Sequence, residues 1–125
     1  MKCMLMDYVD ESGWTLLTKD QQDHWLGAYR AYMESMKDAG VLLSSNGLKP
    51  SAFGKTVRMR NGKRQVLDGP YSDSKEQLGG FHIIEVPDLE TALHWAGSSP
   101  TALHGVVEVR PYHDDLPPQL RFAEE

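Results

Sequence analysis

Apolar positions recur along this chain with two different periods, and the changes of period divide it into strands and helices. Lys2 to Val9 (KCMLMDYV) is apolar at successive positions from Cys3 onward apart from Asp7, the pattern of a strand covered on both faces. Asp10 to Leu17 is mixed and reads as a loop. From Thr18 the period lengthens. Trp25, Leu26, Tyr29, Tyr32, Met33 and Met36 fall at helical spacing and form one apolar stripe, Thr18 and Gln21 stand at capping-box spacing, and Gly40 stops the helix. Val41-Leu42-Leu43 begins a second strand, and Ser44 to Gly54, with Pro50, reads as a loop. Lys55 to Arg60 and Lys63 to Leu67 flank Asn61-Gly62, a pair that tolerates the positive φ of a two-residue hairpin turn. Alternation in the first of these runs leaves one hairpin face basic. Phe81 to Val86 is a further strand. Pro87-Asp88 opens a second helix with Leu89, Ala92, Leu93 and Ala96 on one face, and Gly97-Ser98-Ser99-Pro100 ends it. Gly105 to Arg110 is the last strand.

The order β-α-β, hairpin, β-α-β predicts an α+β protein: a ferredoxin-like βαβ-βαβ sandwich with an inserted hairpin, occupying residues 1–112 as one domain. Residues 113–125 form a polar tail, read as a loose or partner-draped end. Two helices cover one face of a sheet. The other face carries apolar residues from several strands, and a second copy of the chain is its simplest cover, so a homodimer is expected.

Between the hairpin and the next strand lies Asp68-Gly69-Pro70-Tyr71-Ser72-Asp73-Ser74-Lys75-Glu76-Gln77-Leu78-Gly79-Gly80-Phe81. Asp68 is expected to bond the amides ahead of it as a turn former, and Pro70 fixes its own φ. Ser74 with Gln77 has capping-box spacing, which predicts a single helical turn. Gly79-Gly80 lets the backbone turn or pass close to another element.

Composition narrows the function classes. With 125 residues, 40% hydrophobic and 25% charged, the chain is an ordinary globular protein of one domain. A net charge of −5 argues against a nucleic-acid or anionic-membrane surface. No apolar run approaches the ~20 residues of a membrane span, and the acidic residues soon after Met1 make a poor signal peptide. The single cysteine, Cys3, excludes a disulfide framework and fits a buried strand position in a cytoplasmic protein. The histidines show no metal-ligand spacing, and neither a dinucleotide fingerprint nor a P-loop occurs, so no cofactor is called for.

The central segment, together with Met1 to Tyr8 and Val107-Glu108-Val109-Arg110-Pro111, resembles the YCII-related proteins of the DGPF type, whose usual signature is D-G-P-F-x-E-T-K-E-x-x-G-G-F. The resemblance spans residues 1 to about 112. It implies a ferredoxin-like fold that pairs into a dimeric α/β barrel, without a settled reaction. Tyr71 replaces the usual Phe, Asp73 and Ser74 stand where Glu and Thr are common, and Asp7 stands where the family keeps an apolar strand residue. In the wider group a histidine near the first helix and an aspartate after the second are suspected as an acid–base pair. Those positions fall near Tyr29 and at Ser99 here, so that chemistry does not carry over.

The residues themselves offer other candidates. His82 shares a strand face with Ile84 and Val86, where a neutral imidazole can serve as acid or base or simply fill a structural place. Tyr71 either presents its phenol to a substrate oxygen or plugs a dimer seam. Glu108 and Arg110 share a face, as an ion pair or as a clamp for a carboxylate ligand. The expectation is a dimer that binds a small organic molecule between sheet and helices, with Tyr29, Tyr32, Tyr71, His82 and Arg110 in the cavity and Asp68 nearby as a ligand-binding candidate. His82 would act as base and Tyr71 or Arg110 would polarise an oxygen in lyase- or isomerase-like chemistry. The alternative is a non-catalytic ligand-sensing or protein-interaction module linked to transcriptional regulation.

Overall fold

A computed structural model of the chain describes residues 1–121. β1 (Lys2–Val9) is central, with β5 (Gln77–Glu85) on one side and β6 (Val106–Pro111) on the other, and β2 (Leu42–Gly47) completes a four-stranded antiparallel sheet of order β2-β5-β1-β6. Period-two alternation sends Cys3, Leu5 and Asp7 to one face and Met4, Met6 and Tyr8 to the other. The first face meets α2 (Lys19–Asp38) and α3 (Leu89–Ser98). Cys3, Leu5 and Ile84 from the strands, Tyr32 and Met36 from α2, and Ala92 and Ala96 from α3 form the core there with Val86. Each large side chain removed from water contributes about 1.5–3 kcal/mol, and the small alanines let α3 lie close.

α2 begins at the predicted capping box: the Gln21 N–H donates to Thr18 Oγ1 (3.1 Å) while the Thr18 N–H donates to Gln21 Oε1 (2.9 Å). It ends at Gly40, whose φ of 73° only glycine adopts cheaply, with the Val41 N–H returning to Met36 O at 3.0 Å. The hairpin β3 (Lys55–Arg60) and β4 (Lys63–Asp68) turns on Asn61 and Gly62 with φ of 51° and 73°. It stands apart as a two-stranded sheet of its own, with all of β4 exposed.

Several expectations give way. The segment read as a loop before α2 holds a short helix, α1 (Glu11–Thr15), because Asp10 caps it by accepting the Ser12 N–H at 3.1 Å. β2 runs on to Gly47. No helical turn follows Ser74: the Gln77 side-chain amide instead donates to the carbonyls of Ser72 (2.9 Å) and Ser74 (2.7 Å), and β5 starts at Gln77. Gly79-Gly80 lies inside that strand, at a bulge between Asp7 and Tyr8 of β1. A further turn of helix, α4 (Thr101–His104), follows Pro100. Leu26, 57% exposed, belongs to no core, and Leu89 and Leu93 are also exposed. In the tail, Pro118–Leu120 forms a 3₁₀ turn, while residues 122–125 lie outside the described part. No helix among the described residues is long and apolar enough to cross a membrane.

The stripe on α2 therefore divides into buried and exposed positions, and substitution separates them. Met36→Ala, at a fully buried site, is expected to cost about 2–5 kcal/mol in denaturant unfolding. Leu26→Ala should stay within about 0.5 kcal/mol. Equal losses would overturn this division.

Candidate functional site

One cavity of about 810 Å³ opens on the helix-covered face of the sheet, at the end of β1 away from Cys3. Its room has a simple origin. Register aligns Gly47 of β2, Gly80 of β5 and Asp7 of β1 in a row across three strands, so two of the three positions carry no side chain. Gly80 also lets β2 approach: a Cβ there would stand 2.7 Å from the Asn46 carbonyl oxygen. The walls come from α1 (Trp14) and α2 (Trp25, Tyr29, Met33), with Thr101 and His104 from α4.

One row further along, Ser45, His82 and Leu5 align in the same way. Asp7 and His82 are thus diagonal neighbours on one face, the spacing at which cross-strand side chains meet. His82 Nδ1 lies 2.7 Å from Ser45 Oγ, and His82 Nε2 lies 3.5 Å from Asp7 Oδ2. A carboxylate only accepts, so the Nε2 proton belongs on the side of Asp7, and Nδ1 then accepts from the Ser45 hydroxyl. The His82 and Asp7 side chains are 9% and 13% exposed, so this pair is held in a low dielectric, while Ser45 is exposed to the cavity. Tyr32 sets its ring edge-on to His82, centroids 5.8 Å apart, and its hydroxyl donates to the Trp95 carbonyl at 2.7 Å. Burial pushes the Tyr32 phenol well above its ordinary range, with the charge of Asp7 adding to the effect, so it stays a neutral donor. Asp7 Oδ1 is buried and has no hydrogen-bond partner among the described residues.

A second polar group faces the same space. The Tyr29 hydroxyl lies 2.6 Å from Thr101 Oγ1 and 3.0 Å from His104 Nε2, and Trp25 packs edge-on to His104 at 4.9 Å. Burial raises the Tyr29 phenol, against the lowering effect of the Thr101 bond. Such a phenol can hold or polarise a ligand oxygen without itself ionising near neutral pH.

The candidates named from the sequence part company here. His82 and Tyr29 border the cavity, and Tyr32 stands behind His82 as a core residue. Arg110 does not face it. Val109 pairs with Leu5 and points to the core, so Arg110 beside Met4 is on the opposite sheet face, where it pairs with Glu108 at 2.5 Å. Tyr71 is 81% exposed and borders a shallow cleft beside Arg58 and Arg60 of the hairpin. Asp68 ends β4 and pairs with Lys55 at 2.5 Å, with Gly69 (φ 94°) making the turn, so the expected Asp68-to-amide turn is replaced by an exposed ion pair. Ser99, at the position of the suspected aspartate, is buried and its hydroxyl accepts the Thr101 N–H at 3.2 Å. Asp7, Ser45, Thr101 and His104 also border the cavity, and of these only Asp7 stands out in the sequence, as a charge inside an otherwise apolar strand. No three His, Cys, Asp or Glu side chains among the described residues converge as a metal would need.

Comparison with known proteins adds a family and a fold. The model of the YCII-related domain matches residues 1–114. An uncharacterized protein of Rhizobium meliloti (strain 1021) is 33% identical over 106 residues, 83% of this chain and 86% of that one. Among solved structures, the 5-chloro-2-hydroxyhydroquinone dehydrochlorinase of Burkholderia phenoliruptrix AC1100, in complex with 2,5-dihydroxybenzoquinone, superposes with a TM-score of 0.50 over 90% of this chain and 94% of that chain, at 16% identity. The mixed α+β fold with antiparallel sheets is compatible with the dimeric α/β barrel of the family.

A buried, half-satisfied carboxylate is costly to keep. Asp7→Val combined with His82→Leu, which removes both partners, is expected to raise the thermal unfolding midpoint, corresponding to about 1 kcal/mol or more. A lowered midpoint would mean that the pair stabilises the fold.

Proposed function

We propose that this chain, which belongs to the YCII-related family, binds a small organic molecule in the cavity beside Asp7 and His82 and performs cofactor-free acid–base chemistry on it. The observation that carries this reading is the imidazole held between the Ser45 hydroxyl and the Asp7 carboxylate at the cavity wall. A base oriented on one nitrogen by a buried acid and joined on the other to an exposed hydroxyl is the arrangement that moves protons efficiently. Because both ring nitrogens have partners, the proton passes between ligand and His82 through Ser45 Oγ, or directly once Ser45 rotates away. Asp7 stabilises the imidazolium that forms, and the Tyr29 phenol polarises a ligand oxygen. The fold neighbour is a dehydrochlorinase, which supports lyase-like chemistry as the reaction class.

The test is exchange or elimination on a panel of hydroxylated aromatic and enolisable compounds, followed by proton NMR in deuterium oxide. His82→Gln is expected to slow turnover by roughly 10²-fold or more. Ser45→Ala should slow it less, because Nδ1 then meets the ligand directly. Folded His82→Gln protein with undiminished turnover would sink the reading.

We also propose that two copies pair through the sheet face opposite the helices. Met4, Tyr8, Phe81 and Ile83 are only partly buried there, and Leu43 is 52% exposed. Sedimentation at micromolar concentration should return a dimer, and a monomeric mass would refute it.

A further inference from the structure

The cavity's charge is one-sided. Three carboxylates border it, Asp7, Asp10 and Glu11, and no lysine or arginine does among the described residues. The carboxylates are fixed in place. Glu11 accepts both the N–H (2.7 Å) and the hydroxyl of Ser51, and Asp10 Oδ1 accepts the N–H and hydroxyl of Ser12. Those bonds hold the Asp10 carboxyl below its ordinary range, with Lys75, outside the cavity lining, adding a smaller effect in the same direction. Neither arrangement neutralises the charge, because every donor involved is itself neutral.

Asp7 adds an independent observation. The residue is 9% exposed, it borders the cavity, and among the described residues its Oδ1 has no hydrogen-bond partner. Among the described residues its charge partner is His82, at 3.5 Å and long for a hydrogen bond. The partnerless oxygen is itself closed to solvent, so what this carboxylate gives the cavity is a negative charge held close behind its wall. Beside the neutral polar groups of Ser45, Tyr29 and Thr101, the wall carries a broad aromatic and apolar part, with the indoles of Trp14 and Trp25 and the side chains of Leu17 and Met33. Indole rings attract cations through the negative faces of their π-systems.

Resting on the functional reading above and sharpening it, we infer that the ligand is an aromatic or apolar molecule bearing a protonated amine, and that the cavity discriminates against carboxylates. The amine would enter the field of Asp7, Asp10 and Glu11, while its apolar body would lie against Trp14, Trp25 and Met33. A ligand carboxylate would meet three like charges and no lysine or arginine among the described lining residues, which is how a site rejects a competitor of the same shape.

Three probes of equal carbon count test this: 3-phenylpropan-1-amine, 3-phenylpropan-1-ol and 3-phenylpropionate, titrated against the full chain with binding followed by amide chemical shifts. The amine is expected to bind at least about ten times more tightly than the carboxylate, with the alcohol between them and the preference weakening as salt is added. Asp7→Asn, checked for folding by its amide spectrum, should reduce the preference to a few-fold. If the carboxylate binds as well as the amine, or if folded Asp7→Asn keeps the full preference, the inference is overturned. It is also overturned if no probe shifts the cavity resonances at millimolar concentration. Strong binding by the alcohol without an advantage for the amine would remove the ligand class while leaving a working cavity, whereas undiminished turnover in His82→Gln removes the chemistry and leaves the binding preference standing.

Discussion

The register of β1 is the constraint on which the rest depends. Both of its edges are paired, to β5 and to β6, so it cannot slide without breaking two ladders at once. A shift of one residue would exchange its faces, carrying Cys3 and Leu5 out of the core and Asp7 away from His82. The two fully buried residues at one end therefore hold the carboxylate at the other. Core and site are built on one sheet face by one strand, and the apolar contacts that stabilise the fold also set the distance between Asp7 and His82.

What separates core from cavity along that face is side-chain volume. Beside Leu5 and Ile84 the space under the helices is filled. Beside Asp7 it is left open by Gly47 and Gly80, and α1 closes over the gap, tied through Glu11 to Ser51, the first residue of a 3₁₀ turn (Ser51–Phe53), and to α2 through the Gln22 amide donating to the Trp14 carbonyl at 3.0 Å. Empty space in a protein interior forfeits contacts. Together with a buried carboxylate that lacks one hydrogen bond, it marks the place where packing rules are set aside, as happens at functional sites.

Much of the architecture was legible because it rests on local signals. The Thr18–Gln21 capping box, the Gly40 stop and the Asn61-Gly62 turn each act over a few residues, and all of them appear in the structure. The inward direction of His82 was legible too, from its period with Ile84 and Val86. The rest depends on pairing between distant segments. Nothing near Ser45 marks it as the residue opposite His82, because only the β2–β5 register makes it so. Arg110 shows the same dependence in reverse: as part of an isolated strand it could face either way, and the pairing of Val109 with Leu5 decides. The segment 68–76 was overread, since Gln77 spends its side chain on two carbonyls rather than on a helix cap.

The stripe on α2 shows how a cavity can be recognised in a sequence of this kind. Trp25, Tyr29 and Met33 continue the apolar line of Tyr32 and Met36, yet they are only half-buried, because the strand positions beneath them are glycine and aspartate rather than leucine and isoleucine. A helix whose apolar face extends beyond the apolar stretch of the strands it covers has side chains with nothing protein-made to pack on. Large rings at those positions keep a wall standing where small residues would let it collapse, and the space they hold open then belongs to a ligand of matching surface. In this chain the mismatch was present from the start, as aromatic residues in the first turns of α2 set against Asp7, Gly79 and Gly80. Its meaning emerges only once antiparallel pairing brings those two stretches of sequence face to face.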